Sequence, residues 1–396
     1  MKSNIQRIVF VSFLLIFLIP NLSFPENKIF IREYTYRAGD EDSKNSSRTI
    51  ALREVKRLLL EELGTYLESE TEVRNFQLTR DQVTALTAGI VQTELIDEKW
   101  DGSAYWLKAK IQADSGEVVK SINALRNDRQ KTRELEGIRR RSADLLQENE
   151  RLRKELETAK GANKQKQTAA YNKTIKELSA AEWLEKGYAA SLSGNQTEAI
   201  TDYSKAIALN PQFALAHNNR GAVYAKLGNY RQAINDFDKA IALGPEDAGN
   251  YHNRGNAYAE LGNYNQAIKD YDKTIELSPR YANVYASRGV VYGRLGNHQQ
   301  AVKDYDKALT LNPQDAVTYA LRGAVYDKLN RYDQAVSDYS KAIDLSPQDA
   351  RLYYMRGLIY YGNLGNSKQG IADWQVAARL GFKPAQDFLT GKGMSW

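Results

Sequence analysis

The sequence predicts a mainly α protein: a solenoid of six stacked helix pairs with a C-terminal cap, preceded by a coiled-coil helix and a small α/β domain with an antiparallel sheet. Three observations predict it. Near-copies return every 34 residues, as in "YRQAINDFDKAIALGPED" (230–247) and "YNQAIKDYDKTIELSPRY" (264–281). A heptad of apolar residues runs through 131–160. Strict alternation of apolar residues marks a strand near 105–111.

The order begins with residues 1–23. Lys2 and Arg7 precede an uncharged run from Ile8 to Ile19, then Pro20. This is the layout of a secretory signal, and the run is short for a membrane span of about 20 residues. Cleavage would leave an exported, periplasmic protein with no membrane span. An uncleaved anchor in the inner membrane is the alternative. With no cysteine in 396 residues, disulfides, thiolate metal sites, cysteine nucleophiles and a lipidated cysteine after the signal are all excluded.

Residues 27–124 read as the small α/β domain. "IFIREYTYR" (29–37) is a strand, and Leu52, Val55, Leu59, Leu63 and Tyr66 recur at helical spacing. A shorter helix is expected after Leu78. Asp101-Gly102 between "IVQTELIDE" and "YWLKAKIQA" signals a hairpin, with Tyr105, Leu107, Ala109 and Ile111 on one face. The stretch from Ser47 to Ala113 resembles the N-terminal domain of bacterial envelope proteins such as the flagellar assembly protein FlgT. That resemblance implies an envelope setting and a non-catalytic accessory domain.

Residues 131–160 read as a coiled coil. Leu135, Ser142, Asn149 and Leu156 take position a; Ile138, Leu145, Leu152 and Ala159 take position d. Glu134 with Arg139, Glu148 with Arg153, and Glu155 with Lys160 would pair across parallel chains, and Asn149 at position a favours a two-stranded register. A parallel homodimer is the expectation, a single charged spacer helix the alternative. Residues 161–179 then read as a polar linker.

The array occupies 180–396, with repeats opening at Ala180, Ala214, Ala248, Ala282, Ala316 and Ala350 and one extra residue around Gly362 in the sixth. In each unit a glycine turn splits two helical patterns. Gly228, Gly262 and Gly296 suit the left-handed end of the first helix. Asn195, Asn229, Asn263 and Asn297 suit the cap of the second, which Pro211, Pro245, Pro279, Pro313 and Pro347 stop. Gly221, Gly255, Gly289 and Gly323 face Ala233, Ala267, Ala301 and Ala335, so the helices can approach closely. Phe237, Tyr271, Tyr305 and Tyr339 fill the space around them. The period and residues resemble the tetratricopeptide repeat family. The resemblance implies helical hairpins that bury each other's apolar faces.

Two sets of residues are candidates for a role. Arg220, Arg254, Arg288, Arg322 and Arg356 recur eighteen residues after Asp202, Asp236, Asp270, Asp304 and Asp338. The expectation is five inter-repeat ion pairs, Asp202 with Arg220 through Asp338 with Arg356, rather than an anion track. The resemblance also implies a concave groove lined by first helices. It places Asn218, Asn219, Ala222, His252, Asn253, Asn256, Asn283, Ala286, Val290, Val317 and Ala324 there. A side-chain amide both donates and accepts, so such a row suits an extended backbone. The basic cluster that some family members use to clamp a peptide carboxylate is not evident.

Catalysis finds no motif. The three histidines lack the spacing of a metal site, and phosphate loops and nucleophile elbows are missing. No catalytic, cofactor or metal residue is assigned. The net charge of +6 is spread along the chain without a nucleic-acid module. The expected function is an exported scaffold holding a protein or peptide partner. A purely structural spacer in an envelope complex is the alternative.

Overall fold

The computed structural model describes residues 27–69, 91, 93–114, 118 and 129–396. The signal reading of 1–23 and the helix expected after Leu78 lie outside the described residues. The chain divides into two compact units, 1–178 and 179–396.

In the first unit, β1 (Asn27–Arg37), β2 (Thr93–Trp100) and β3 (Ala104–Asp114) form an antiparallel sheet in the order β1-β3-β2. The predicted alternation is borne out: Tyr105, Leu107, Ala109 and Ile111 are all buried. Helix α1 (Lys44–Ser69) covers this face with Val55, Leu59, Leu63 and Leu67. The hairpin turn closes on Asp101, whose Oδ1 accepts the N–H of Ser103 at 2.8 Å and of Ala104 at 2.7 Å. Gly102 supplies the positive φ of 98° between them.

Helix α2 (Arg129–Thr158) contains the heptads, but its seam is spent within one chain. The expected linker is instead the start of a helix, α3 (Gly161–Leu192). Lysine, glutamine and asparagine make 161–179 polar, but its alanines, lysines and glutamines are good helix formers, so a polar composition here is compatible with a helix. The pair α2–α3 is an antiparallel hairpin. Leu152 and Leu156 pack on Tyr171, Ala170 and Ile175, and Arg141 meets Glu177 at 3.4 Å. Ser142, at position a, accepts from Nη1 of Arg53 on α1 at 3.2 Å. Tyr171 donates to Asp42, which also accepts from Tyr36 at 3.0 Å and from the backbone N–H of Gly39 at 2.7 Å. Burial raises the Tyr36 phenol to about 12. Side chains that would line a parallel homodimer, including Ile138, Ser142 and Asn149, are therefore buried at home.

The second unit is a row of helical hairpins. The first repeat pairs the end of α3 with α4 (Gln196–Leu209). The next four are α5 (Ala214–Lys226) with α6 (Tyr230–Leu243), α7 (Ala248–Glu260) with α8 (Tyr264–Leu277), α9 (Ala282–Arg294) with α10 (His298–Leu311), and α11 (Ala316–Lys328) with α12 (Tyr332–Leu345). Close approach at the glycines is borne out. A Cβ on Gly255 would lie 2.7 Å from the Tyr271 ring, and one on Gly289 2.7 Å from Tyr305. Gly228 takes φ 77° at its turn; in the fifth repeat Asn330 takes that conformation, at φ 58°. The capping expectation holds in part. Asn195 and Asn297 accept from the N–H groups of Glu198 and Gln300, whereas Asn229 and Asn263 make no such bond. Asp247, Asp315 and Asp349 cap the first helices of repeats three, five and six.

The sixth repeat closes the array with α13 (Ala350–Leu358), a π-helical turn (Ile359–Asn363), α14 (Ser367–Arg379) and α15 (Lys383–Gly391). The extra residue near Gly362 is absorbed as the wide turn, which carries Tyr361 against Trp374 at 5.0 Å. This explains glycine at 370, where earlier repeats have alanine. A Cβ there would lie 2.7 Å from Cβ of Tyr361 and 2.9 Å from the Gly357 carbonyl oxygen. Helix α15 covers the last pair: Phe388 packs on Trp374 at 4.3 Å, and Leu389 is fully buried.

Candidate functional site

Each repeat arginine lies on a first helix, and its register differs from the expectation. Arg254 does not take Asp236, eighteen residues back. Its Nε and Nη2 fork onto Asp270 at 2.8 and 2.7 Å, sixteen residues ahead on the second helix of its own repeat. The same fork joins Arg220 to Asp236, Arg288 to Asp304 and Arg322 to Asp338. Arg356 takes Asp373, seventeen residues ahead because the π turn adds one. Asp202, without an arginine of its own, meets Lys205 at 3.2 Å.

The link between repeats is the third nitrogen. Nη1 of Arg254, Arg288 and Arg322 donates back to Asp238, Asp272 and Asp306 at 2.6, 2.5 and 2.7 Å. Nη1 of Arg220 and Arg356 donates to Ser204 and Ser340 instead. The guanidinium also sits between two tyrosines, as Arg288 does between Tyr285 and Tyr292. Helix geometry explains the register. Asp236 and Asp238 are separated by about 200° around the axis, so one faces its own repeat and the other the next. The signal was legible in the recurring "DFDK", "DYDK" and "DYSK". Burial works to raise the Asp236 carboxyl, but Arg220 and His217 outweigh it and hold the group below its ordinary value. The arginines are thus fully committed to structure and offer no open anion track.

On the other side, first helices of successive repeats touch directly: α5 with α7, α7 with α9, and α9 with α11. Helices that converge in this way line the inner side of a curved stack. The structure separates buried from exposed members of the expected groove set. Asn218 and Asn219 are buried; Asn253 Nδ2 of the next repeat donates to Asn218 Oδ1 at 3.1 Å, and Asn218 Nδ2 donates to Asn219 Oδ1 at 3.5 Å. Asn219 Nδ2 is buried and has no acceptor within the array. Asn256 accepts the Tyr271 hydroxyl at 2.8 Å. Val290 packs against the core of the fourth and fifth repeats. Asn283 and Val317 are exposed, Val317 by 67%. His252 is buried among tyrosines and occupied by its own array.

Among the described residues, no cluster of histidine, aspartate and glutamate is placed to hold a metal ion. No helix among them is long and apolar enough to cross a membrane.

Stacked helix pairs with a 34-residue period, glycine-to-aromatic contacts and a first-helix groove define a helical-repeat protein of the kind that binds along an extended concave surface. Family models for the tetratricopeptide repeat match residues 187–228, 214–247, 237–269, 255–296, 282–315, 304–337 and 327–363. Residues 187–363 are thus an array of tetratricopeptide repeats. Among solved structures it is similar to MamA (26% identity, 42% of this chain and 96% of that one, TM-score 0.38). It is also similar to YrrB, described as a tetratricopeptide repeat protein with an unusual peptide-binding site (20%, 48% and 97%, 0.40). The PilF protein of Pseudomonas aeruginosa is another such structure (20%, 55% and 99%, 0.48). Comparison with curated proteins returned no match.

Proposed function

We propose that the chain is a non-catalytic scaffold of a bacterial envelope assembly that holds an extended segment of a protein partner along its first-helix groove. One observation carries this reading. Side-chain amides from consecutive repeats are joined into a row, and the Nδ2 of Asn219 at its end is buried without an acceptor. A buried donor left unmade costs about 1–3 kcal/mol. A backbone carbonyl of a bound segment, reached by rotation of the side chain, would recover that cost. Exposed Asn283 and Val317 continue the surface toward the C-terminal repeats. The envelope setting rests on the signal-like segment 1–23 and on the resemblance of the N-terminal unit, which supplies a second contact.

The test is capture from envelope extract by the full chain, compared with variants that crowd the groove, Ala222→Trp and Val317→Glu. Both sites are exposed, so the fold is expected to survive. A partner held in the groove is lost from both variants. A partner retained by both assigns the array to spacing alone.

A further inference from the structure

The joint between the third and fourth repeats is built unlike the others. At the fifth position of the first helix, the second, fourth, fifth and sixth repeats carry Asn218, Ala286, Ala320 and Tyr354. The third carries His252, which is 7% exposed. Its Nε2 lies 3.1 Å from Oγ of Ser287 on α9, across the repeat boundary. Its Nδ1 lies 3.2 Å from the hydroxyl of Tyr281, the last residue of the third repeat. The ring meets Tyr281 edge-on at 5.0 Å and Tyr271 of α8 at 5.9 Å. One imidazole therefore ties α7 to α8, to the connecting turn and to the first helix of the next unit.

Among the described residues, the carboxylates on the helices packed against this ring are already paired. On α8, Asp270 is forked by Arg254; on α6, Asp236 is held by Arg220 and His217. On α9, Arg288 is committed to Asp304 and Asp272. From α5 the neighbouring side chains are the neutral Asn218 and Asn219, with Arg220 already paired. Burial raises the Tyr271 phenol, which stays neutral across the acid range. His217 is the useful contrast: it is also buried, but it has Asp236 at 3.5 Å to balance a positive charge. The hydroxyls around His252 can turn to serve either protonation state. A buried positive charge without a counter-ion is what the site cannot accommodate.

We propose that His252 is an acid-sensitive latch: protonating its imidazole opens the seam between the third and fourth repeats. The consequence for a bound partner, release as the middle of the groove opens, rests on the function proposed above; the latch itself does not.

Burial pushes the His252 pKa from 6.5 down to about 4. The unfolded joint therefore binds the proton more readily, so stability is full above pH 6.5 and is lost as pH falls toward 4. Between pH 7.0 and pH 4.5 these values give at most about a 60-fold rise in the open population of the joint. The measurement is hydrogen exchange of the full chain at both pH values, corrected for intrinsic rates and read over 248–294. A loss of protection of up to about 60-fold, confined to these helices and absent in His252→Gln, is expected. Equal loss in the variant, or full protection in the wild type at pH 4.5, overturns the latch. Should His252→Gln fail to fold, a histidine NMR titration of the wild type decides. A His252 midpoint below pH 5 that coincides with the exchange loss sustains the proposal; a midpoint near 6.5 with the amides still protected overturns it. Failure to capture any partner at neutral pH counts against the groove alone.

Discussion

Removing Arg288 should cost far more than removing the residue that links it to the preceding repeat. Asp304 is 3% exposed, and Arg288 forks onto it through two nitrogens. Arg288→Met leaves that carboxylate buried without its partner, a loss of about 3–5 kcal/mol. Asp304→Ala should cost less, because Arg288 keeps Asp272. The Asp272 side chain is 54% exposed, so its pair contributes only about 0–1 kcal/mol. The assay is a set of double-mutant cycles by urea denaturation, pairing Arg288→Met with Asp304→Ala, Asp272→Ala and Asp270→Ala. A coupling energy of about 2 kcal/mol or more is expected for Asp304. A few tenths are expected for Asp272 and none for Asp270, which belongs to Arg254. A coupling to Asp270 as large as that to Asp304 would refute the register and restore the eighteen-residue pairing.

The same substitution should act with opposite sign at two glycines. Gly255→Ala drives a Cβ to 2.7 Å from the Tyr271 ring and should destabilise by about 1–2 kcal/mol, whereas Gly293→Ala meets only Val325 at 3.9 Å and should stabilise by up to about 1 kcal/mol in thermal melts. Asn330→Ala places an ordinary side chain at φ 58° and should cost about 1–2 kcal/mol by urea denaturation. Tyr171→Phe removes a hydroxyl from Asp42 and should cost about 1–3 kcal/mol, read as lost amide protection in α2 and in the turn at 38–43.

What could be read from the sequence follows from where the repetition lies. Each helical hairpin is local, and its glycine, alanine and aromatic positions return together, so one repeat explains the others. The strand 105–111 was equally plain because burial on one face enforces strict alternation. Pairing between elements was harder. Asp202 to Arg220 and Arg220 to Asp236 have the same residue types and nearly the same separation. Only the rotation of the second helix decides which carboxylate faces which neighbour. The heptads of 131–160 reported an apolar stripe correctly, but a stripe does not say whether its partner is another chain or the next helix. Here α3 begins just beyond α2, and Gly161 at φ 57° lies at the turn that folds the two together. For His252, sequence placed the residue on a groove-lining helix; it could not show that Tyr281 and Ser287 close over both ring nitrogens.

The wide turn at Ile359–Asn363 bears on how such a chain can lengthen over evolutionary time. Every spacing ahead of it is a multiple of 34, so a duplicated unit inserted before Ala350 finds its neighbours already in phase. A unit appended after Arg379 would still be in phase, because the turn absorbs its extra residue and Arg356 keeps Asp373, but it would meet the aromatic lid formed by Trp374 and Phe388. Growth by copying is therefore open at the interior and closed at this end.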